Sequence, residues 1–491
     1  MNFRRVTCFL LLAAIPAFLC AAETRTLLIL HTNDLHDHIR AGYDGIGGMA
    51  YISGYIKQVA EARKDVLILD AGDVMDKGDM VSFRSKSRLM YEALGQIGYS
   101  AVTIGNHDAD YGPKYLRQCQ TLVPGTALLC LNWRDEEGNA YFPASKVFDV
   151  QGIKVAVIGL TRPKQGEFFG EQETGAALER EAERLKPETH LQIALCHVGS
   201  LSAKKLSVLA PEVDVFVTGH THELLKQPIV QKSTGVVIVQ AGSYAKYVGR
   251  LELAVDLDAK KIVGVKGETV EMRHGTVPCD DTMAAWIQQK EQELCPEASQ
   301  IVGRCEKPVH SGASAKLSAE ALLKKSGADA AFCHTGQIIR SSLPAGAIDV
   351  NALFLTGGQR GNIVVNAELT GMQIEHYLQG LMKRGKGMTQ WAGFEAEVKR
   401  GERGWEVKSS LEASKTYRIV MPELEWNTRF KKAMEGTGEL PKPARCDFTF
   451  IDALTALANS ITQQGLTLDG YLTKIGGSYG GSVDTDDEDD R

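Results

Sequence analysis

Five short segments carry carboxylates and imidazoles at spacings that suit a metal site: Asp34 with His36, Asp70 with Asp73, Asn106-His107-Asp108 with Asp110, His197, and His220 with His222. Each alone is ordinary. A lone strand-end histidine is more often a hydrogen-bonded structural residue, and a carboxylate there usually serves a turn or a helix cap. Five such segments within the first half of one chain make coincidence a poor account. Imidazole and carboxylate together suit zinc, manganese or iron better than calcium, which takes oxygen alone. Asp34/His36 and His220/His222 are i, i+2 pairs, so in extended chain both members are expected to project to one side. Gly72, Gly105 and Gly219 permit the sharp turns and close backbone approach that such loops need. The remaining histidines read as structural or surface residues, with His38 the nearest of them to the cluster.

These segments need elements to hold them. The chain from Thr26 to about Gly249 repeats a short apolar, β-branched run: Leu27–Leu30, Val66–Leu69, Ala101–Ile104, Val155–Leu160, Ile193–Leu195, Val213–Val217 and Val236–Val239. Continuous apolar runs of this length read as buried strands. Helical patterns at Met49–Ala62 and Arg88–Gly95 lie between several of them, which predicts an α/β layered domain. Every candidate segment follows a strand, and the crevice beyond strand carboxyl ends is where α/β sheets bind ligands.

At 491 residues the chain exceeds one ordinary core, so two domains are expected. Asp280–Leu294 reads as an amphipathic connector helix stopped by Cys295-Pro296. A second mixed region follows from about Val302 to Leu472, with helices near Ser318–Lys325 and Thr370–Leu381. The predicted division is 1–22, 23–275, 276–299, 300–475, and a Gly/Ser-rich acidic tail over 476–491 expected to be disordered. Arg4 and Arg5, the apolar run Val6–Leu19, and small residues Ala21 and Ala22 form a secretory signal, cut near Ala22 in preference to lipidation at Cys20. No later segment offers the ~20 apolar residues of a membrane span. The protein is therefore expected to be exported, to the periplasm or beyond. Of 10 cysteines, 8 remain after the signal, and Cys119 with Cys130 and Cys279 with Cys295 are close enough in sequence to pair or simply to be buried thiols. A net charge of -6 supplies no basic field for a nucleic-acid polymer.

The order D-x-H, G-D, G-N-H-x-x-D, H and G-H-x-H resembles the calcineurin-like metallophosphoesterases, specifically the secreted bacterial 5'-nucleotidase/UDP-sugar hydrolase family, over roughly Leu27 to Gly249. The resemblance implies a four-layer αββα sandwich and a smaller C-terminal α/β 5'-nucleotidase-type domain. It implies two divalent metal ions, zinc, manganese or similar: one held by Asp34, His36 and His222, the other by Asn106, His197 and His220, with Asp73 between them. His107 and Asp110 match the family's catalytic dyad, in which the aspartate orients the histidine. Two metals can clamp the attacking and leaving oxygens of an in-line displacement, and their excess charge favours anionic phosphate esters. His107 would stabilise developing charge or protonate the leaving group. In the second domain the resemblance implies phosphate contacts at Arg340 and Arg360 and base stacking at Trp391, with Asn106 also touching substrate. The family's second aromatic loop is absent after Tyr417, and Trp426 or Phe430 is the candidate replacement. The family also implies domain rotation, with Asp280–Leu294 as the hinge.

The expected function is metal-dependent hydrolysis of phosphate monoesters by a water activated between two ions. The substrates are 5'-nucleotides first and sugar nucleotides second. Within enzymes the alternatives are a phosphatase or 2',3'-cyclic-nucleotide phosphodiesterase with an altered second domain, and a thiosulfohydrolase of the same fold. Outside enzymes the alternative is an exported nucleotide- or metal-binding protein without catalysis.

Overall fold

Along the first strand Leu27 and Ile29 face one side and Leu28 and Leu30 the other, and all four are fully buried. Such a strand has no solvent face, so it must lie between two layers. The computed structural model describes residues 23–162, 171–382, 389–401 and 404–475; the signal expected over 1–22 and the tail expected over 476–491 lie outside them.

Among the described residues the first domain has twelve strands: β1 Thr24–Thr32, β2 Val66–Asp70, β3 Ala101–Thr103, β4 Ala127–Leu129, β5 Ser145–Val150, β6 Ile153–Leu160, β7 Leu191–Cys196, β8 Val215–Thr218, β9 Ile229–Val230, β10 Val237–Val239, β11 Tyr247–Asp256 and β12 Lys261–Glu271. They form two six-stranded sheets, ordered β12-β11-β1-β2-β3-β4 and β5-β6-β7-β8-β10-β9. The central pairs β1–β2, β2–β3, β6–β7 and β7–β8 are parallel. Leu27, Ile29, Leu67 and Leu69 from one sheet meet Val155, Val157, Ile193 and Val215 from the other in one apolar layer. On the outer faces, Leu28 and Leu30 pack with the helix Met49–Ala62, while Ile158 and Phe216 pack with Leu178 and Leu206 of two further helices. The order is helix, sheet, sheet, helix, the αββα sandwich.

The second domain is a five-stranded sheet, ordered Thr389–Ala392, Ala330–His334, Thr416–Pro422, Ile363–Thr370, Ala444–Thr449. Ala331 and Cys333 face the side covered by helices Ser311–Ser326 and Phe450–Gln463, while Ala330 and Phe332 face Tyr377, Trp426 and Phe430.

The connector helix runs over Asp281–Leu294, and the Asp280 carboxylate caps it by accepting from Thr282 N and Met283 N. Polar and aromatic contacts sew the domains together beside it. Arg40 pairs with Glu291 at 3.2 Å and Asp349 at 3.0 Å. Asn351 donates to Asp79 at 2.8 Å, and Phe83 meets Phe354 with ring centroids 5.3 Å apart.

All eight described cysteines are free. Cys279 and Cys295 flank opposite ends of the connector helix, whose 14 residues span roughly 20 Å, far beyond disulfide reach. Cys119 and Cys130 are buried thiols, pushed up to about 11 and about 12 by burial.

Candidate metal centre

The five segments converge where β1, β2, β3, β7 and β8 end, so both sheets contribute. The loops after β1 and β2 run as a bonded pair: Asp34 N donates to Gly72 O and His36 N to Asp73 O, each at 2.9 Å. Asp108 clamps the next loop, accepting from Gly105 N at 2.8 Å, Asp73 N at 2.9 Å and Met75 N at 3.0 Å. Burial, then the charge on Asp73, pushes Asp108 up to about 6.

The i, i+2 pairs are not extended, which corrects the sequence expectation. Asp34 (φ 51), His36 (φ 46), Asp73 (φ 55), His220 (φ 76) and His222 (φ 54) all occupy the left-handed region. For side chains other than glycine this conformation is uncommon, and where it clusters it marks a site held under strain. A tight left-handed turn, not a pleat, brings each pair to one side. Gly105 has a different requirement. A Cβ there would lie 1.9 Å from Asp73 Oδ1 and 2.3 Å from Asp73 N.

Two groups of donors have the geometry to hold a metal ion: Asp34, His36 and His222, and Asp34, Asp73 and His197. In the first, His222 Nε2 lies 3.1 Å from His36 Nε2 and 3.3 Å from Asp34 Oδ1. In the second, His197 Nε2 lies 3.1 Å from Asp73 Oδ2. His36 Nδ1 donates to Met75 O at 3.1 Å and His197 Nδ1 to Ala71 O at 2.8 Å, so both rings turn Nε2 toward the centre. Asn106 Oδ1 and His220 Nδ1 are 3.0 Å apart, and Arg162 Nη1 donates to His220 Nε2 at 2.9 Å.

The donor set fits a divalent ion. Asp73 Oδ2 and His197 Nε2 are buried and make no hydrogen bond, although an isolated protein would normally satisfy them. Burial holds His36 well below its ordinary value, leaving a neutral imidazole. Burial also opposes charge on Asp73 and His197, but their mutual attraction prevails: Asp73 falls below the usual carboxylate range and His197 rises to about 9. A cation between them would take over the role each now plays for the other.

His107 stands beside this centre, its ring 5.1 Å from that of His36 and perpendicular to it. The backbone N–H of His107 donates to Asp73 Oδ1 at 2.9 Å. His107 Nδ1 pairs with Asp76 Oδ2 at 2.8 Å, a partner the sequence reading leaves out. Asp110 lines a cavity of about 480 Å³ with Asp76, His107, Tyr111 and, from the second domain, Leu424. Tyr244, also unforeseen, packs its ring against His36, His38 and His222. It lies in a loop with no motif to flag it.

The second-domain candidates fare differently. Trp426 is 1% exposed, its ring stacked on Phe430 with centroids 4.2 Å apart, so this tryptophan is core and offers no face to a base. Phe430 is equally buried. Trp391 is half-buried on the edge strand Thr389–Ala392 and stacks on Phe394. Arg340 is half-buried just beyond the strand Ala330–His334, with its backbone N–H donating to Thr356 O at 3.0 Å. Arg360 lies on the short helix Gln359–Gly361, and its side chain is outside the described residues.

Comparison with known proteins agrees with this geometry. The family model for calcineurin-like phosphoesterases matches residues 27–224. The 5'-nucleotidase of Vibrio vulnificus is 26% identical over 477 residues, 82% of this chain and 85% of that protein. Endonuclease YhcR of Bacillus subtilis is 26% identical over 400 residues, 72% of this chain; the chain spans only 32% of that longer protein. Among solved structures, a 5'-nucleotidase precursor from Thermus thermophilus superposes with a TM-score of 0.68 at 23% identity, over 89% of this chain and 97% of that one, which shows a shared fold. Residues 27–224 of this chain are a calcineurin-like phosphoesterase domain, and the chain is a metal-dependent hydrolase.

Proposed function

We propose that this protein hydrolyses phosphate monoesters, 5'-nucleotides first among them, at a centre of two divalent metal ions. Asp34, His36 and His222 would hold one ion, Asn106, His197 and His220 the other, and Asp73 would touch both. The observation that carries this reading is the meeting of two donor groups that share Asp34 and are buried except at His222, beside His107. Bound ions would supply positive charge to the attacking and leaving oxygens. Everything else falls to the chain. In hydrolysis the water oxygen forms the new P–O bond as the ester P–O bond breaks, and the departing oxygen takes up a proton. His107 is the residue proposed to hold that proton, and Asn106 to orient the phosphoryl group.

Similarity to the Vibrio vulnificus 5'-nucleotidase along 82% of the chain supports nucleotides as the substrate class. Arg340 and Arg360 are proposed as anion contacts and Trp391 as the remaining base platform. Trp426 has no part in this. The same proposal assigns catalysis to 23–275, the linker to 276–299 and recognition to 300–475. It also makes the protein an exported one, through residues 1–22. No helix among the described residues is long and apolar enough to cross a membrane.

Phosphate release from AMP, a sugar nucleotide and an aryl phosphate tests the substrate class. The proposal expects AMP to exceed the aryl phosphate in kcat/KM by at least about tenfold, the scale of one well-made polar contact. Equal rates would keep the hydrolase and discard nucleotide recognition.

A further inference from the structure

Asp76 is tied on three sides. Its Oδ2 holds His107 Nδ1 at 2.8 Å, its N–H donates to Asp37 Oδ2 at 2.7 Å, and its Oδ1 accepts from Gln359 Nε2. Gln359 comes from the second domain, 283 residues away. The backbone of Asp76 is left-handed at φ 73, three residues after the left-handed Asp73. A non-glycine residue persists there when its surroundings over-determine it, and these three bonds do so.

The segment that delivers Gln359 is itself anchored to the first domain. Asp349 and Asn351 meet Arg40 and Asp79, Phe354 packs on Phe83, and the helix then passes through a π-helical turn, Phe354–Gly358, before Gln359. The seam between the domains therefore ends on the carboxylate that holds His107. From these contacts we infer that Asp76 is a positioning residue of His107, and that Gln359 makes this positioning depend on the seating of the second domain.

The physical basis is torsional. The last torsion of a histidine is broad and weakly held on its own, so the ring needs a partner at Nδ1 to fix both its plane and its tautomer. A carboxylate bonded through one oxygen can still swing about its own terminal torsion. Gln359 removes that freedom by holding the second oxygen. It is uncharged, so it adds no cation of its own beside the imidazole. Withdrawal of the second domain would release Asp76 first and His107 with it.

The inference rests on the reading that His107 takes part in hydrolysis, and a double-mutant cycle separates the two. Full-length protein loaded with manganese is assayed on an aryl phosphate, which makes few demands on base recognition. Asp76→Ala should lower kcat by about 10- to 100-fold, within the range that acid–base positioning supplies, with KM changed less than about 3-fold. Metal content should not change. In a His107→Ala background the same substitution should cost less than about 2-fold. Gln359→Leu should lower kcat by about 3- to 10-fold and add nothing to Asp76→Ala. If Asp76→Ala folds poorly, Asp76→Asn keeps the volume but replaces the carboxylate facing His107 Nδ1 with a neutral amide, so a loss of about tenfold is expected there too. A kcat within 2-fold of wild type for both Asp76 variants, or a full loss that recurs without His107, would overturn the inference while leaving the functional reading intact. Unchanged turnover in His107→Ala alone would overturn the functional reading, and this inference with it.

Discussion

His197 Nε2 and Asp73 Oδ2 face each other at 3.1 Å in a fully buried centre, and neither atom makes a hydrogen bond. Without a bound ion the two form a buried ion pair: Asp73 lifts His197 to about 9 against the effect of burial. An imidazolium must lose its proton before its nitrogen can bind a metal, so protons compete with metal below that value. Metal affinity should rise with pH through the neutral range, with about one proton released for each ion bound here. Calorimetric titration in buffers of different ionisation enthalpy reads this directly. An affinity flat between pH 6 and 8.5 would contradict it.

His107→Ala separates ligation from catalysis. This residue is adjacent to the donor groups but absent from both. The variant should keep its metal and lose turnover by about 10²- to 10⁴-fold, the usual contribution of a placed acid or base. Loss of metal, measured by elemental analysis, would make His107 a ligand instead.

Gly105→Ala tests the loop packing. The added Cβ would meet Asp73 Oδ1 and backbone N at 1.9 and 2.3 Å, and neither atom can move without disturbing the donor set. Overpacking in a tight site costs roughly 1–3 kcal/mol. Both the melting temperature and the metal content should fall together, whereas a stable variant with full metal would show that the loop has room.

Arg40→Met tests the seam between the domains. The guanidinium sits between Asp349 and Glu291, both largely buried, and its removal leaves both carboxylates without this cation. Breaking such a pair costs on the order of 3 kcal/mol. Calorimetry should show a lower transition temperature, or two transitions where the wild type has one. An unaltered thermogram would make these contacts incidental.

Much of the fold was legible because parallel strands buried on both faces read as unbroken apolar runs. Leu27–Leu30, Val66–Leu69 and Val155–Leu160 all lie within observed strands, and the Met49–Ala62 helix has the expected bounds. The β11–β12 hairpin was not legible: β11 alternates between buried and half-buried positions and β12 has no fully buried position, which dilutes the apolar signal. The residues of the two candidate donor groups were legible as candidates from their types and spacing, and their assignment to two ions came only from the family resemblance. How they are held was not, since left-handed φ at Asp34, His36 and His222 carries no glycine to announce it. Asp76 sits in Val74-Met75-Asp76-Lys77, a segment like many turns, and its importance comes from His107 and from a glutamine 283 residues distant. Trp426 misled for the opposite reason. Tryptophan is as useful in a core as against a ligand, and only the packing on Phe430 tells which.

The most direct test of the central claim is a metal titration of chelated protein, with phosphate release from AMP followed as manganese or zinc is returned. The account predicts negligible turnover without metal and a rise that levels off at two ions per chain. Turnover that survives chelation, or a plateau at one ion, would contradict a centre built from Asp34, His36, Asp73, Asn106, His197, His220 and His222.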